Sequence, residues 1–597
     1  MQDLSRHSTS DVHIEWADRL AATSFFNALL RETTHWWLES HGSNEIAVIP
    51  LTDDRNLCLR LTLEHRSLSG RCRIQLPVMR TTGDVLEAIS FEQAVTALLE
   101  SPWLREHPLV GRLDDARRET FFKSVMGSRD TIAAALAGRD DLDHLIQGPL
   151  GFLEAEQGLL VGHDFHPAPK SQAPFDAGQA RDHTPEHRAC FGLVWWGVAP
   201  ARAVGNSSRD TAAAAMMHDL LPETLAARLP VGFSALPMHP WQSRFLQSRE
   251  DIAALINAGE LVVLGEERDD AATTRRWYPT SSHRSLYCPQ TDWMVKGSLS
   301  AKLTNSLRVL HGNEVMRGLR LDRWWPGVSV EIREHFHLMQ EPAWLGWKTD
   351  DGEIDEASLA LLRENRIKGP DAPSVVLATL TQPLGKTGQT LLANGVRRLA
   401  ALDNLGEREA ALSWFEAFCK RVLSPLIRLV VEEGIVLLAH QQNIVVRLDR
   451  ERPVGVDYRD CQGSGVTDHF VARHPGDNVS QDHRITVEML KRYFPYYVIV
   501  NSTLSVTAAL AEAGLVDEPV LLRHLRNHLT ALREGAGNGD TTLLDHLLDS
   551  DTLEVKSNFF CYLAGINEST LDDPASIYLD MPNPLSIHAA VNQACVF

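Results

Sequence analysis

The sequence predicts an α+β protein, because helical and strand-like patterns occupy different parts of the 597-residue chain. Short stretches of alternating apolar and polar residues lie between residues 45 and 80 and again between 186 and 335. From about residue 396 onward, apolar residues recur mostly at helical spacing. A chain of this length exceeds what one hydrophobic core holds, so roughly two to four domains are expected.

The N-terminal part is predicted to contain a long helix, a sheet and further helices. Apolar residues recur at helical spacing over residues 12–40, ending in Trp36, Trp37 and Leu38. The alternation after this helix predicts strands at 47–51, 57–61 and 72–76. Helical spacing resumes at 91–101, 113–125 and 129–147, and the proline-rich residues 167–174 are predicted to be a linker.

The middle of the chain is predicted to be rich in strands, and the last third in helices. Strands are expected at 192–198, 261–264, 293–299 and 328–332, with a helix at 208–227. The last third is expected to hold helices at 407–433, 485–513, 518–534 and 539–550. Gly434 stops the first of these helices.

Composition excludes several classes of partner. The 58 basic and 78 acidic side chains give a formal charge of −20, which argues against nucleic acid and anionic membranes as partners. No apolar run reaches the length of a membrane span, and the N-terminus has no signal-peptide pattern. The eight cysteines are scattered without a CxxC pair, so reduced thiols in a cytoplasm are expected.

Two polar clusters flank an apolar hairpin in the last third of the chain. They are Ala-His-Gln-Gln-Asn at 439–443 and Tyr-Arg-Asp-Cys-Gln-Gly at 458–463, with the hairpin turn predicted at 449–453. The hairpin would bring Asp460 close to Asn443, and such a pair of oxygens suits Mg²⁺ shared with phosphates. His440 could donate to an anion. Protein kinases use similar metal ligands, and a buried hairpin with satisfied polar ends is the alternative.

A second set of polar clusters lies in the middle of the chain. These clusters are His-Pro-Trp-Gln at 239–242, Pro-Thr-Ser-Ser-His-Arg at 279–284, and Lys296 with Thr304, Asn305 and Arg308. Residues 293–299 alternate as in a half-exposed strand, and a helical turn would place Thr304 and Arg308 on one face. Hydroxyls and cations suit a nucleotide phosphate or a carboxylate, and a basic pocket is expected from Arg284, Lys296, Lys302 and Arg308.

These motifs together resemble those of the NRPS-independent siderophore synthetases, the family of the aerobactin and achromobactin synthetases. The resemblance covers nearly the whole chain and also rests on Gly-His-Asp-Phe-His-Pro-Ala-Pro-Lys at 162–170 and Asn-Pro-Leu at 583–585. It implies a cupped hand of three parts: an α/β thumb (1–170), fingers built on antiparallel sheet (171–395) and a mainly helical palm (396–597). A homodimer is expected on the same grounds.

The resemblance also implies an activity, in which ATP activates a carboxylic acid as an acyl-adenylate and the acyl group passes to an amine or alcohol. The two-glutamine form of the 440–443 motif looks like that of members that use free citrate. The metal would be Mg²⁺, held by Asn443 and Asp460. The residues expected to hold ATP are His163, His166, Lys170, Ser281, Ser282, Lys296, Asn305, Gln442 and Asn443. The residues expected to hold the acid and act in catalysis are Arg284, Thr304, Arg308 and His440.

Several of these residues have simpler alternative roles. His163 and His166 are spaced as zinc ligands on a helix would be, but the flanking glycine and proline favour a loop. Lys170 and Lys302 could be solvated lysines, Asn305 a helix cap, and His239 with Trp241 a packed turn. The rival functions are a kinase-like phosphotransferase, which would make ADP, and a non-catalytic siderophore-binding protein, which would bind ferric complexes without nucleotide.

Overall fold

A computed structural model describes residues 9–586 except 43, 109, 112, 174, 268–274, 304–305, 386–387, 478, 567–570 and 572. It confirms the α+β class, with helices and largely antiparallel sheets in separate parts of the chain. Among the described strand pairs, the strands that hold residues 336–338 and 452–458 run parallel, and the others run antiparallel.

The N-terminal part packs helices against a five-stranded antiparallel meander in the order β1-β2-β3-β4-β5. Its elements are α1 (Thr9–Glu32), β1 (Trp37–His41), β2 (Asn44–Pro50), β3 (Leu57–Arg66), β4 (Cys72–Thr82), β5 (Val85–Ile89), α2 (Phe91–Glu100), α3 (Pro102–Arg105), α4 (Asp115–Ala137), α5 (Leu142–Gln147) and α6 (Phe152–Gln157). The three strands predicted from alternation are confirmed as β2, β3 and β4.

Two predicted helix boundaries in this part are wrong. The first helix ends at Glu32, and Trp37 and Leu38 instead begin β1, where aromatic and apolar residues pair with β2. The helices predicted at 113–125 and 129–147 are redistributed. Helix α4 is continuous across residues 126–128, because Met126 and Ser128 are buried on its inner face. It ends before Gly138, and α5 follows separately.

The middle part contains the largest sheet, six strands in the order β11-β12-β13-β18-β17-β8. Its elements are β6 (Gln172–Ala173), α7 (Ala177–His183), β7 (Val194–Val198), β8 (Ala203–Ser207), α8 (Ala213–His218), α9 (Glu223–Ala226), β9 (Ser234–Met238), α10 (Pro240–Gln247), α11 (Glu250–Asn257), β10 (Leu261–Glu266), β11 (Tyr278–Pro279), β12 (Ser285–Tyr287), β13 (Trp293–Gly297), β14 (Leu299–Leu303), β15 (Ser306–Arg308), α12 (Gly312–Trp324), α13 (Val330–Arg333), β16 (Phe336–Leu338), β17 (Ala343–Trp347), β18 (Ala360–Glu364), β19 (Ser374–Val376) and α14 (Leu377–Thr381).

Three predictions in the middle part are corrected. The helix at 208–227 is divided at Pro222 into α8 and α9, because proline cannot continue a helix in mid-course. Residues 330–333 form α13, capped by the Ser329 hydroxyl, where a strand was predicted. Strand β13 is buried on both faces rather than half-exposed, since Met294 and Val295 pack into different hydrophobic clusters.

The C-terminal part is mainly helical, as predicted. Its elements are α15 (Leu391–Asp403), α16 (Glu407–Phe418), α17 (Ser424–Arg428), β20 (Ile435–Leu437), β21 (Ile444–Asp449), β22 (Arg452–Tyr458), β23 (Ser464–Val466), α18 (Asp468–Arg473), α19 (Val487–Phe494), α20 (Leu504–Glu512), α21 (Glu518–Glu534), α22 (Thr542–Asp549), β24 (Thr552–Lys556), α23 (Phe559–Ala564) and β25 (Tyr578–Pro582). Wider π-helical turns join α16 to α17 and α19 to α20. Gly434 ends the first long helix at φ 71°, the left-handed conformation that glycine adopts readily.

The described residues form several hydrophobic clusters, of which two are large. A large core joins N-terminal residues such as Phe25 to C-terminal ones such as Phe559, and a separate one surrounds Trp195, Trp196 and Trp347. Contrary to the expectation from sequence, one described helix, Val487–Glu512, is long and apolar enough to span a membrane. However, 89% of its apolar window is buried inside the protein, as in a core helix.

Candidate functional site

A cavity of about 360 Å³ lies where loops from all three parts of the chain meet. It is lined by the 162–170 loop, the 281–284 turn, the 440–443 loop and the residues around Asp460. Every residue predicted to hold ATP, Mg²⁺ or the acid that the structure describes borders this cavity. These residues are His163, His166, Lys170, Ser281, Ser282, Arg284, Lys296, Arg308, His440, Gln442, Asn443 and Asp460.

The β21–β22 hairpin brings Asn443 and Asp460 together, as predicted. The amide of Asn443 donates to the Asp460 carboxylate at 3.2 Å. The two strands are joined by Arg450 and Glu451, both at positive φ, which is a tighter turn than the predicted 449–453. Asp460 itself has φ 82°, a conformation that few residues other than glycine, asparagine and aspartate adopt.

Lys296 and Asp460 form an ion pair at the centre of the cavity. The Lys296 Nζ lies 2.6 Å from Asp460 Oδ1, and Lys296 is on β13, opposite Ser285 of β12. Burial raises the pKa of Asp460, but the positive charges of Lys296 and Arg363 outweigh this and hold it well below the ordinary value. Asp460 is therefore a carboxylate at neutral pH.

Two guanidinium groups add to the positive charge of the cavity. Arg284 donates to the backbone oxygen of Arg308 at 3.0 Å and to the side chain of Gln462 at 3.4 Å. Burial and the nearby Arg284 lower the pKa of Arg308 to about 10, so both side chains stay charged at neutral pH. The cavity therefore presents forked donors to an anion.

His440 is uncharged in this setting. Burial lowers the pKa of its imidazole to about 4 despite the attraction of Asp460. Its Nε2 lies 3.1 Å from the Asn443 amide nitrogen and accepts from it, so the ring proton resides on Nδ1. His440 can thus donate one hydrogen bond from Nδ1 without adding a charge to the site.

Arg459 connects two of the site loops. Its guanidinium pairs with Glu156 at 2.8 Å and donates to the backbone oxygen of Gln442 at 2.8 Å. Glu156 also accepts from the backbone N–H and hydroxyl of Ser281, each at 2.9 Å. This buried pair therefore fixes the 281–284 turn against the 440–443 loop.

The 162–170 stretch is a loop in which residues 164–170 are buried, so Lys170 is not the solvated lysine of the simpler alternative. Lys170 donates to the backbone oxygen of Leu159 at 2.6 Å and lies 3.8 Å from Glu186. Burial lowers the pKa of His163 to about 3, and its Nδ1 accepts from the Phe165 N–H. No group of three potential metal ligands among His, Cys, Asp and Glu occurs in the described part of the chain, which disfavours the zinc alternative.

The remaining predicted residues are Thr304, Asn305 and Lys302. Thr304 and Asn305 are outside the described residues. The helical turn predicted to carry Thr304 and Arg308 is wrong, since residues 306–308 form β15, paired with β14. Lys302 is exposed on β14 and does not line the cavity, so it does not add to the basic pocket as predicted.

The 239–242 motif supports the fold beside the site. His239 Nδ1 accepts from the Trp241 N–H and so caps α10. Gln242 exchanges two hydrogen bonds with Ser300 on β14, at 2.7 and 3.0 Å. These contacts match the packed-turn alternative for the motif.

Sequence reasoning missed one whole wall of the cavity and one residue of its floor. The wall comes from the helix 487–512 and from β24 and α23, and its residues are Tyr496, Tyr497, Asn501, Lys556 and Asn558. Three of them lie on the π-helical turn, a form of helix that often occurs at functional sites. The floor residue is Arg363, a charge directly after the apolar run 359–362, and that pattern could have marked it.

Comparison with known proteins decides the family. An N(2)-citryl-N(6)-acetyl-N(6)-hydroxylysine synthase from Vibrio mimicus is 36% identical over 96% of both chains. The protein of the same description from Escherichia coli is 37% identical over 95% of this chain and 98% of its own. The IucA / IucC family model matches residues 151–382. The chain belongs to the IucA/IucC family.

The solved structures of the family agree with this assignment. The structure titled ATP-bound aerobactin synthetase IucA, from a hypervirulent pathotype of Klebsiella pneumoniae, has a TM-score of 0.87 and 35% identity. It is matched over 95% of this chain and 99% of its own. A second family model, described as ferric iron reductase FhuF-like transporter, matches residues 412–571, the part that holds the Asn443–Asp460 hairpin.

Proposed function

We propose that this IucA/IucC-family protein is an ATP-dependent ligase of siderophore biosynthesis that activates citrate as an adenylate and joins it to an amine. AMP and pyrophosphate would be the other products. One observation carries the proposal: a single cavity gathers three cations, Arg284, Lys296 and Arg308, around the Asn443–Asp460 pair. The citryl products in the names of the two bacterial relatives support citrate as the acid.

The charges of the cavity suit two anionic substrates in contact. ATP and citrate both bring several negative charges, while the whole chain carries −20, so only a local cluster of cations can hold them together. Lys296 and Ser282, which border the cavity, would hold the phosphates, together with Lys170, His163 and His166. Arg284, Arg308 and His440 are assigned to the citrate carboxylates. Their fixed positions would align the reacting carboxylate with the α-phosphorus.

The residues present fit Mg²⁺ that is shared with nucleotide phosphates. Mg²⁺ prefers one or two carboxylates together with phosphates and water, and Asp460 supplies one carboxylate that is ionised and partly open to the cavity. Asn443 can offer its amide oxygen after rotation of the amide group. When bound, Mg²⁺ would neutralise phosphate charge during departure of pyrophosphate.

The amine is proposed to be the α-amino group of an N-acylated hydroxylysine. The names of the two relatives place citrate on N(2) and the acetyl group on N(6) of hydroxylysine. Because both relatives span nearly the whole chain, the same acceptor is the simplest proposal here.

The three-part division at residues 170 and 395 and a homodimer belong to the same proposal. The separate core around Trp195, Trp196 and Trp347 supports a distinct middle part. Light scattering on the purified protein tests the dimer, and a mass equal to one chain would reject it.

Hydroxylamine trapping tests the proposed reaction. Protein, ATP and Mg²⁺ are incubated with citrate, 2-oxoglutarate or a succinyl derivative, and the hydroxamate and the nucleotide product are measured. We expect citrate to give the most hydroxamate, with AMP formed in equal amount. ADP as the nucleotide product would instead support the phosphotransferase alternative.

A matched pair of variants locates the reaction in this cavity. Arg308 and Lys302 lie on the same β14–β15 hairpin, but only Arg308 borders the cavity. We expect Arg308→Met to lower citrate-dependent hydroxamate formation at least about tenfold, as loss of a charge-assisted contact does, and Lys302→Met to leave it unchanged. Equal effects of the two substitutions would place the reaction elsewhere.

A further inference from the structure

Behind the candidate site lies a second carboxylate, Glu341, that no sequence motif marks. Its side chain is 1% exposed, and Arg363 donates to its Oε1 at 2.6 Å. Its other oxygen, Oε2, is buried and makes no hydrogen bond within the described part of the chain. Such a group is costly to bury unless a nearby positive charge or a specific role compensates it.

The Glu341 oxygen that accepts from Arg363, Oε1, also lies 3.5 Å from the Nζ of Lys296. Lys296 therefore stands between two carboxylates, and these differ in their surroundings. Asp460, at 2.6 Å, has a side chain that is 28% exposed toward the cavity, whereas Glu341 is fully buried in the wall. Only the Asp460 side of this arrangement is open to a ligand.

We propose that Glu341 is a positioning residue that keeps Lys296 in the wall while nucleotide and Mg²⁺ draw Asp460 out of its ion pair. The inference rests on the proposed function. In the structure, the Lys296 ammonium pairs with Oδ1 of Asp460, and the Asn443 amide donates to Oδ2. If a metal ion took the place of the ammonium at Oδ1, Lys296 would keep one carboxylate partner in Glu341 and could turn its remaining donors to the phosphates.

Removing the charge of Glu341 should therefore affect metal and nucleotide differently. Without Glu341, Asp460 is the only carboxylate within 4.0 Å of Lys296 that the described residues supply, so the ion pair competes more strongly with the metal. Nucleotide binding should not weaken in the same way, because the phosphates meet at least as much positive charge in the variant as in the wild type. If Glu341 served only to stabilise the fold, its replacement would weaken the binding of metal and of nucleotide alike.

Metal binding itself provides the test. Mn²⁺ binding to the full-length protein, with a non-hydrolysable ATP analogue present, is followed by electron paramagnetic resonance. Binding of the analogue alone is followed by calorimetry. We expect Glu341→Gln to raise the dissociation constant of Mn²⁺ about tenfold and to leave that of the analogue within about twofold of the wild type. The matched control is Glu364→Gln, on the same sheet next to Arg363 but outside the cavity, which should change neither constant.

A second variant separates positioning from net charge and serves if the first does not fold. Glu341→Gln combined with Arg363→Met removes both charges of the buried pair, so the net charge stays as in the wild type. The weakened Mn²⁺ binding should persist in it. Restored Mn²⁺ binding in the double variant would assign the effect to an unpaired Arg363 and overturn the inference. The inference would also be overturned if Glu341→Gln changed neither dissociation constant, or raised those of Mn²⁺ and of the analogue equally. If the wild type bound no Mn²⁺ with the analogue, the proposed metal site itself would be wrong.

Discussion

The metal-ligand role of Asp460 can be tested by changing its charge alone. Asp460→Asn keeps the size of the side chain, and asparagine tolerates the φ of 82° at this position, whereas alanine would strain the backbone. The substitution removes one anionic ligand and leaves Lys296 with Glu341 at 3.5 Å. The hairpin and the cavity should therefore remain folded.

The size of the effect follows from the contacts that are lost. A hydrogen bond or ligand contact to a charged group contributes about 1.5–3 kcal/mol, which corresponds to roughly a 10- to 150-fold loss of kcat/KM for Mg·ATP. Since Lys296 retains a carboxylate partner, the free energy of unfolding should fall by less than the about 3–5 kcal/mol seen when a buried ion pair loses one member.

Pyrophosphate release, measured while Mg²⁺ is varied at fixed ATP and citrate, is the appropriate assay. Asp457→Asn is the matched control, because Asp457 lies on β22, the strand that leads to Asp460, and pairs with His337 at 3.0 Å, outside the cavity. Turnover of Asp460→Asn close to that of the wild type at limiting Mg²⁺ would refute the role of Asp460 as a metal ligand.

Three further predictions concern the acid, the pH dependence and the fold. Arg284→Lys should raise the KM for citrate much more than that for ATP, because a forked contact to a carboxylate is lost; an equal rise in both would place Arg284 on the phosphates. Burial raises the pKa of Glu32 from 4.5 to about 7, against its contacts with Ser557 and backbone N–H groups, so the folded protein holds a proton that the unfolded chain releases. The free energy of unfolding of the wild type should thus fall by up to about 3 kcal/mol relative to that of Glu32→Gln as pH rises from 4.5 to 7. The same pH dependence of the unfolding free energy in both proteins would contradict this. His239→Ala should cost about 1 kcal/mol of unfolding free energy through loss of the α10 cap, with KM values unchanged; altered KM values would show that His239 reaches the substrates.

The local part of the site was predictable from sequence. The β21–β22 hairpin fixes the distance between Asn443 and Asp460 through pairing of neighbouring strands, so the apolar runs and the turn residues between them were sufficient. Likewise, Gly434 and the spacing before it predicted the end of a long helix. In both cases the determining interactions lie within a few residues of one another.

Contacts between distant segments were not predictable in this way. No polar motif surrounds Glu341 or Arg363 in the sequence. They form an ion pair near the cavity only when the fold pairs β13 with β18. Lys556, at the end of β24, borders the cavity, and the two residues that follow it, Ser557 and Asn558, donate to Glu32, more than 500 residues earlier in the chain. The prolines of 167–174 predicted a linker, but residues 167–170 are buried, and Pro169 and Lys170 border the cavity.

The fate of a carboxylate oxygen tests the central claim most directly. Citrate labelled with ¹⁸O in its carboxylates is incubated with the protein, ATP, Mg²⁺ and the amine, and the nucleotide product is analysed by mass spectrometry. Attack of a citrate carboxylate on the α-phosphorus, followed by transfer to the amine, leaves one labelled oxygen on AMP. We predict AMP carrying that label. Unlabelled AMP, or label found in inorganic phosphate together with ADP, would contradict adenylation of citrate.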